Sequence, residues 1–181
     1  MAYYVSNQLT GVTTASAKTG VVPIITPPPT SPAIGRVVVV QATIIFPSGT
    51  NPAANDVIEM LTLPADHVPV DFDLVCDDFD SNGTPTIACK VGLLTGTPGD
   101  SSRVIGSVGT ELLAAASTTL QAAAAVRHPI SAAQAAAFRQ IAPSTSDRSI
   151  AIGISAAAAT NIAASRRIDL TVAYRWSRYG A

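Results

Sequence analysis

Residues 72–94 read F-D-L-V-C-D-D-F-D-S-N-G-T-P-T-I-A-C-K-V-G-L-L, and this stretch decides the fold class. At its centre, Asn82-Gly83 is a strong signal for a β-hairpin, because a type I′ turn needs positive φ at both central residues. Pairing the two arms about this turn places Cys76 opposite Cys89 on adjacent strands. The same register collects one apolar face: Phe72, Leu74, Cys76, Ile87, Cys89, Val91 and Leu93. A slip of one residue would scatter that face, so the stretch predicts an antiparallel hairpin with a fixed register.

Four other segments have the composition or alternation of strands. Residues 36–46 are rich in β-branched side chains, and residues 149–155 and 167–176 alternate apolar with small or polar positions. In residues 55–63 the inward face is ambiguous, because Ile58 and Met60 compete with Val57, Leu61 and Leu63. Six to eight short strands separated by turn signals predict an all-β fold, an antiparallel jelly roll or β-sandwich, as a single domain over residues 36–181.

An alanine-rich region over residues 112–141 interrupts the strands as a short helical or irregular insertion. Ser131 and Gln134 match a capping box, and Pro143 ends the segment. A helix over residues 132–140 would place Ala135 and Phe138 on one face. Residues 120–126 fit a strand or a helix equally well by propensity.

The first 35 residues are predicted to form an extended N-terminal arm. Pro27-Pro28-Pro29 favours an extended conformation outside any central ladder. A disordered tail is the alternative, but the arm is more apolar than a solvated tail needs to be. We therefore expect the arm to contact neighbouring chains rather than its own core, through six apolar residues: Tyr3, Tyr4, Val21, Val22, Ile24 and Ile25.

Composition limits the classes of partner. Charged residues make up only 13% of the 181 residues, which indicates a surface that is neutral or covered by other subunits, and hence a homo-oligomer. The net charge of −1 and the pI of about 6.0 give no attraction to nucleic acid or to an anionic membrane. The first residues do not have the pattern of a signal peptide, so we expect assembly in the cytoplasm.

The sequence shows no catalytic constellation, so we predict no enzyme, no cofactor and no metal. The acidic run from Asp77 to Gly83 imitates the opening of a calcium loop, but the twelfth position, which needs a bidentate Glu, is Cys89. A solvated hairpin tip is therefore the favoured interpretation. Cys76 and Cys89 could form a disulfide, although two reduced, buried thiols suit a cytosolic protein better.

Several short motifs then resemble those of one family. They are A-N-D-V-I (54–58), L-P-A (63–65), D-L (73–74), D-F-D-S-N-G-T-P (78–85), V-G (91–92), A-P (142–143), D-R-S-I (147–150) and L-T-V-A-Y (170–174). Together they resemble small structural proteins of tailed bacteriophage heads over residues 54–174.

The resemblance implies a jelly-roll decoration (cement) protein of the virion. Such a protein would bind the outer capsid surface between major capsid subunits as a homo-oligomer, a trimer or a dimer, and stabilise the head. The alternative is a carbohydrate- or receptor-binding β-sandwich of a tail or fibre. Exposed aromatic residues in a concave site would favour that alternative, but aromatic residues are only 5% of the chain.

Overall fold

A computed structural model describes residues 1–24, 37–127, 131–160 and 163–177. These residues form nine strands, two short α-helices and two single 3₁₀ turns. The strands are β1 (Tyr3–Val5), β2 (Val37–Phe46), β3 (Val57–Leu63), β4 (His67–Cys76), β5 (Ala88–Leu94), β6 (Leu113–Ser117), β7 (Ala124–Arg127), β8 (Arg148–Ala156) and β9 (Arg166–Trp176). The helices are α1 (Asn7–Thr10) and α2 (Ala132–Arg139), and the 3₁₀ turns are Ile105–Ser107 and Thr119–Gln121.

The strands form two sheets that face each other across one core. The first sheet has the order β1-β3-β8-β5-β6, and the second has the order β2-β9-β4-β7. Strand β1 pairs with β3 in parallel, whereas the other strand pairs are antiparallel. Strands β2 to β9 divide four and four between the sheets, which is the double-sheet arrangement of a jelly roll. The prediction of an all-β antiparallel jelly roll or sandwich is confirmed.

The alternation seen in the sequence correctly identifies the core faces of the last two long strands. In β8 the three isoleucines, Ile150, Ile152 and Ile154, are fully buried. The same is true of the inward residues of β9, which are Ile168, Leu170, Val172 and Tyr174. Side chains of a strand alternate between faces, so a period of two in apolar residues is enough to locate the core side.

The predicted hairpin is wrong. Strand β4 ends at Cys76 in the second sheet and β5 begins at Ala88 in the first sheet, so Cys76 and Cys89 do not pair in a ladder. Residues 77–87 instead cross from one sheet to the other, and Gly83 does not have positive φ. The predicted apolar face is nevertheless in the core, since six of its seven residues are buried there and Leu93 packs against them. Two strands that face each other across a sandwich satisfy the same alternation as two strands that pair side by side.

A β-bulge explains the ambiguous inward face of β3. The register against β8 shifts between Glu59 and Leu61. Because of the extra residue, Ile58, Met60, Leu61 and Leu63 all join the main core. The opposite side of β3 is covered as well, so every residue of the strand is buried.

The helix predicted in the alanine-rich region is present as α2. Ser131 is its N-cap, and the side-chain oxygen accepts the Gln134 N–H at 3.2 Å. The return bond of a capping box is replaced, because the Gln134 side chain donates to the carbonyl of Thr110. Phe138 packs on Phe72, with 6.0 Å between ring centroids, and so anchors the helix to the second sheet. Of residues 120–126, Leu120 lies in a 3₁₀ turn and residues 124–126 lie in β7.

Residues 1–24 lie on the protein's own sandwich, which corrects the prediction for the first part of the arm. Tyr3–Val5 is an edge strand of the first sheet, and Leu9 of α1 is buried. Residues 13–15 then run beside β2 and exchange backbone hydrogen bonds with Ile45. These apolar side chains are buried by the chain itself, so the burial that the sequence demanded is supplied within one molecule. Residues 25–35 of the predicted arm lie outside the described residues.

Candidate functional site

The six residues predicted to bind a partner separate into three groups. Tyr3 and Tyr4 are buried in the chain's own core, so the prediction that they contact a neighbour is wrong for this structure. Val22 and Ile24 are half-buried against the smaller core cluster, and Val21 is 69% exposed beside Asp100. Ile25 lies outside the described residues. Partner binding through Val21, Val22, Ile24 and Ile25 stays a prediction.

A buried ion pair lies beneath the N-terminal segment. Glu59 of β3 is fully buried, and its Oε2 is 2.6 Å from Nη2 of the equally buried Arg103. The hydroxyls of Tyr3 and Ser149 both donate to the Glu59 carboxylate. The Gly99 N–H donates to the same carboxylate at 3.0 and 3.2 Å. The Glu59 carboxylate is therefore satisfied from several directions.

Arg103 is held through Nη2 and Nε, whereas its Nη1 is buried without a hydrogen-bond partner among the described residues. Its Nη2 also donates to the Tyr3 hydroxyl at 2.5 Å, and its Nε donates to the Asp100 carbonyl at 3.0 Å. The guanidinium lies 5.6 Å from the centroid of the Tyr3 ring, within the range of a cation–π contact. We call Tyr3, Glu59, Gly99, Arg103 and Ser149 the Glu59 clamp. It joins the N-terminal strand, β3, β8 and the loop over residues 96–103, and it has no solvent access for a substrate.

A second buried carboxylate, Asp80, organises the loop over residues 77–87. It is 1% exposed and accepts the N–H groups of Thr86, Ile87, Ala159 and Thr160 at 2.7 to 3.2 Å. Burial alone would raise the pKa of Asp80, but these backbone donors outweigh it and lower the pKa to about 2. Phe79, the neighbouring residue, is fully buried and meets Phe46 edge to face at 5.8 Å.

The acidic run of this loop is committed to backbone hydrogen bonds. Asp78 accepts the Asp80 N–H at 2.8 Å, and Asp77 accepts the Arg167 N–H at 2.8 Å. In the described ranges, no group of three or more His, Cys, Asp or Glu is placed to hold a metal ion. The run resembles a calcium loop in sequence, but its carboxylates accept hydrogen bonds from separate backbone N–H groups.

The two cysteines are free and buried on facing sheets. Burial raises the pKa of the Cys76 thiol to about 11 and that of the Cys89 thiol to about 12. Both thiols are thus protonated at neutral pH and behave as small apolar side chains, since the thiolate is the reactive form.

The concave features of the surface are open. One groove of about 480 Å³ runs between β4 and α2 and is lined by Val68, Pro69, Val70, Asp71, Phe138, Arg139, Ile141 and Arg175. Another, of about 540 Å³, lies between the loop over residues 95–98 and residues 146–148. Neither lining contains a nucleophile paired with a base. No helix in the described part of the chain is long and apolar enough to cross a membrane.

The outer face of the second sheet carries the largest exposed apolar side chains of the sandwich. Val37, Val39 and Val75 are between 42% and 65% exposed on this face. The ion pairs Arg127–Asp71 and Arg167–Asp169 lie among them. Aromatic residues are absent from this exposed set, because those that the structure describes are buried, apart from the half-buried Trp176.

Sequence reasoning missed the Glu59 clamp and the role of Asp80. Glu59 and Arg103 are 44 positions apart in the sequence, and each looks like an ordinary charged residue. One signal was available for Glu59: it is the one charged residue of β3, a strand in which apolar residues occupy both faces.

Comparison with known proteins finds similarity among solved structures alone. No protein-family profile and no curated protein matches the chain. A chain in the solved capsid of Ralstonia phage GP4 is 31% identical, with 99% of each chain covered and a TM-score of 0.75. A chain in the capsid asymmetric unit of cyanophage Pam1 is 21% identical, with a TM-score of 0.53 over 82% of this chain and 90% of that one, and shares the fold.

Proposed function

The chain belongs to a family of bacteriophage capsid proteins, and on that premise we propose that it is a decoration (cement) protein of the phage head. Its role as a structural component of the virion follows from the family. The proposal adds that it binds the outer capsid surface between major capsid subunits and stabilises the shell there. The observation that carries the proposal is the full-length similarity to the GP4 capsid chain, at 31% identity.

The architecture suits this role. A decoration protein needs a rigid block that keeps its shape when it docks, and here two buried carboxylates fasten the N-terminal segment and the inter-sheet loop over residues 77–87 to the core. The N-terminal segment is used within the molecule rather than by a lattice neighbour. Tyr3–Val5 pairs with β3, and residues 13–15 bond to the edge of β2. Such a chain folds first and binds afterwards, which favours addition to a shell that is already built.

The proposed partner is the major capsid protein, and the proposed contact residues are Val21, Val22 and Ile24 together with Ile25. Val21 is the most exposed large hydrophobic residue of the described chain. Single exposed hydrophobic residues are ordinary on protein surfaces, so the contact is proposed for the group. Assembly in the host cytoplasm onto the capsid surface, without nucleic acid or membrane, completes the proposal.

The test is the addition of purified protein to phage heads that lack it. We expect saturable binding, digestion of the bound protein by protease added outside intact heads, and a higher temperature of head disruption. Val21→Asp should weaken binding, because it places a charge in an apolar contact. Val75→Asp, at another exposed valine, serves as its matched control. Protein that is protected from protease inside intact heads, or that does not bind them, would contradict the proposal.

The tail- or fibre-bound lectin alternative gains no support from the described residues. It needs aromatic side chains in a concave site, and the described aromatic residues lie in the core, apart from the half-buried Trp176. The virion role is therefore carried by the capsid family alone.

A further inference from the structure

Asn82 and Gly83 lie at the exposed tip of the inter-sheet loop. Residues 81–84 are all exposed, whereas Asp80 and Ile87 on either side are buried. An asparagine followed by glycine is a reactive pair as well as a turn signal, because the backbone nitrogen of the glycine can attack the side-chain amide before it. How far this reaction proceeds in a folded protein depends on how the loop holds the two residues.

Gly83 leaves its backbone nitrogen free to react. Glycine has no Cβ to shield that nitrogen, and a Cβ added at Gly83 would meet no atom within 4 Å. The neighbouring N–H groups are engaged, since Asn82 N–H donates to Asp80 Oδ1 at 3.4 Å and Thr84 N–H donates to Asn82 Oδ1 at 2.8 Å. Gly83 N–H has no acceptor among the described residues. Water therefore has access to the proton of the attacking nitrogen.

The Asn82 amide is held with a donor on its oxygen. A backbone N–H can only donate, so the contact with Thr84 fixes which atom of the amide is Oδ1. Negative charge develops on this same oxygen when a nucleophile adds to the amide carbon. A hydrogen-bond donor that already points at such an oxygen stabilises the charge as it forms.

Thr160 lies beside the other atom of the amide. Asn82 Nδ2 donates to Thr160 Oγ1 at 2.9 Å, and the Thr160 N–H is fixed in turn by Asp80 Oδ1 at 3.2 Å. In the reaction Nδ2 must take a proton and leave as ammonia. A hydroxyl can donate as well as accept, so Thr160 is placed to supply that proton and recover it from water.

We propose that Asn82 is a site of self-modification, at which the chain deamidates through a succinimide ring. Gly83 N loses its proton to water and bonds to Asn82 Cγ. The bond between Cγ and Nδ2 then breaks, and Nδ2 leaves as ammonia with a proton from Thr160. Water opens the ring at one of its two carbonyl groups, which leaves aspartate or isoaspartate at position 82. Water is the only other reactant.

The other asparagines of the described chain lack this arrangement. Asn7 precedes Gln8 and Asn55 precedes Asp56, so a side chain stands beside the attacking nitrogen in both pairs. The N–H groups of Gln8 and Asp56 are also engaged, in hydrogen bonds of 3.2 and 3.1 Å. A free N–H on a glycine is found at Asn82 alone within the described ranges.

The modification acts on the contact that holds the loop. Either product replaces a neutral amide by a carboxylate, which is charged at neutral pH, and isoaspartate also adds a methylene group to the backbone. The donor from Asn82 to Thr160 is lost, and a like charge is placed near the buried Asp80. Two of the four backbone donors to Asp80 come from residues 159–160. The modified loop should therefore be held less tightly to this segment. This inference does not depend on the decoration role.

The experiment is prolonged incubation of the folded full-length protein at physiological temperature and at several mildly alkaline pH values. Peptide mapping by mass spectrometry measures the exchange of NH₂ for OH at each asparagine, and enzymatic methylation detects isoaspartate. We expect conversion at Asn82 before Asn7 and Asn55, at a rate that rises with pH because the attacking nitrogen must lose its proton. Asn51 is the internal control, because Pro52 has no N–H to attack with.

Two variants and one peptide separate the fold's contribution from that of the sequence. Gly83→Val should lose most of the conversion, because a branched side chain then shields the attacking nitrogen. A synthetic peptide of residues 78–87 reports the reaction without the fold, and we expect it to convert more slowly than the folded protein. Thr160→Val removes the hydroxyl and keeps the shape of the side chain. It should lower the rate in the folded protein to that of the peptide.

Limited proteolysis measures the consequence of the modification. We expect cleavage within residues 77–87 to become faster as the modified fraction grows, and to stay constant in Gly83→Val incubated for the same time. Three results would overturn the proposal: a peptide that converts while the folded protein does not, a first modification at Asn7 or Asn55, and a Thr160→Val variant that converts as fast as the wild type. The first would show that the hydrogen bonds of the loop protect Asn82 instead.

Discussion

The N-terminal segment, residues 1–24, and the inter-sheet loop, residues 77–87, are each held to the core by one buried carboxylate, but the carboxylates have different kinds of partner. The N-terminal segment adds an edge strand to the first sheet, and the loop crosses from one sheet to the other. The carboxylate is Glu59 for the first and Asp80 for the second. A buried carboxylate must replace its lost hydration with hydrogen bonds or an opposite charge. The two regions differ in which of these they use.

Asp80 uses backbone N–H groups, whereas Glu59 uses a charged partner. The donors to Asp80 include two from its own loop and two from residues 159–160, so the contact closes one local loop against β8's end. Glu59 combines the Arg103 guanidinium, two hydroxyls and one backbone N–H from three other parts of the chain: the N-terminal strand, the loop over residues 96–103, and β8. Loss of Glu59 therefore leaves the Arg103 cation buried without its counter-ion, whereas loss of Asp80 leaves neutral backbone donors unpaired.

The largest effect is therefore expected from Glu59→Ala. Removing one partner of a buried ion pair costs about 3–5 kcal/mol of folding free energy, because the remaining charge stays buried without compensation. The Arg103 side chain is only 4% exposed, so little water can replace the lost carboxylate. Urea denaturation of the purified variant measures this loss. We also expect faster proteolysis within residues 1–24, which the Glu59 clamp holds.

The double variant Glu59→Leu with Arg103→Met is the control for this prediction. Replacing a whole buried ion pair by apolar residues of similar volume is often neutral or stabilising. The double variant should therefore recover the part of the loss that comes from the buried charge, while the Tyr3, Ser149 and Gly99 donors stay without the Glu59 carboxylate. A single variant whose free energy of unfolding equals that of the wild type would refute the clamp.

An intermediate effect is expected from Asp80→Asn. The amide keeps the shape of the carboxylate but loses its charge, and it turns an NH₂ group towards backbone donors. The loss should be roughly 2 kcal/mol, the scale of a charge-assisted hydrogen bond together with an unsatisfied donor. Asp73→Asn, at a half-buried position on the outer sheet face, is the matched control and should change little.

The pH dependence of stability identifies the same residue. The folded-state pKa of Asp80 is about 2, below the value of about 3.9 for an unfolded aspartate. A lowered pKa stabilises the fold above pH 4, and that contribution disappears as the pH falls from about 4 to about 2. Asp80→Asn should flatten the stability profile in this window. A profile as steep as that of the wild type would show that other carboxylates dominate the acid transition.

The fold was predictable wherever one strand's own pattern was decisive. The isoleucines of β8, the alternation of β9 and the Ser131 cap of α2 each depend on neighbours within a few residues. Strands β4 and β5 could either pair side by side in one sheet or face each other from two sheets, and both arrangements bury the same residues. Composition could not make that choice, and the Asn82-Gly83 signal favoured the wrong one.

The candidate site was less predictable than the fold. Tyr3 and Tyr4 were correctly identified as side chains that require burial, but the sequence could not tell whether their own chain or another supplies it. The answer depends on Glu59 and Arg103, whose proximity arises only when β3 and the loop after β5 come together. Long-range polar contacts of this kind leave no periodic trace.

The smallest effect is expected from Gly83→Val, and this variant separates the two accounts of the inter-sheet loop most cleanly. In a type I′ hairpin, a β-branched residue at positive φ would cost roughly 1 kcal/mol or more. In the jelly roll, Gly83 does not have positive φ and a Cβ there meets no atom within 4 Å. The local turn is held by Asn82, whose side chain accepts the Thr84 N–H at 2.8 Å and donates to Thr160 at 2.9 Å. The free energy of unfolding, measured by thermal melting, should therefore change by less than about 0.5 kcal/mol, as at most surface positions.

Gly99→Val is the contrasting control, because Gly99 has φ of +81° and its Cβ would collide with the Val22 carbonyl. If Gly83→Val and Gly99→Val lose equal free energy of unfolding, residues 77–87 form a hairpin-like turn. A large loss for Gly99→Val alone supports a loop that crosses between the sheets.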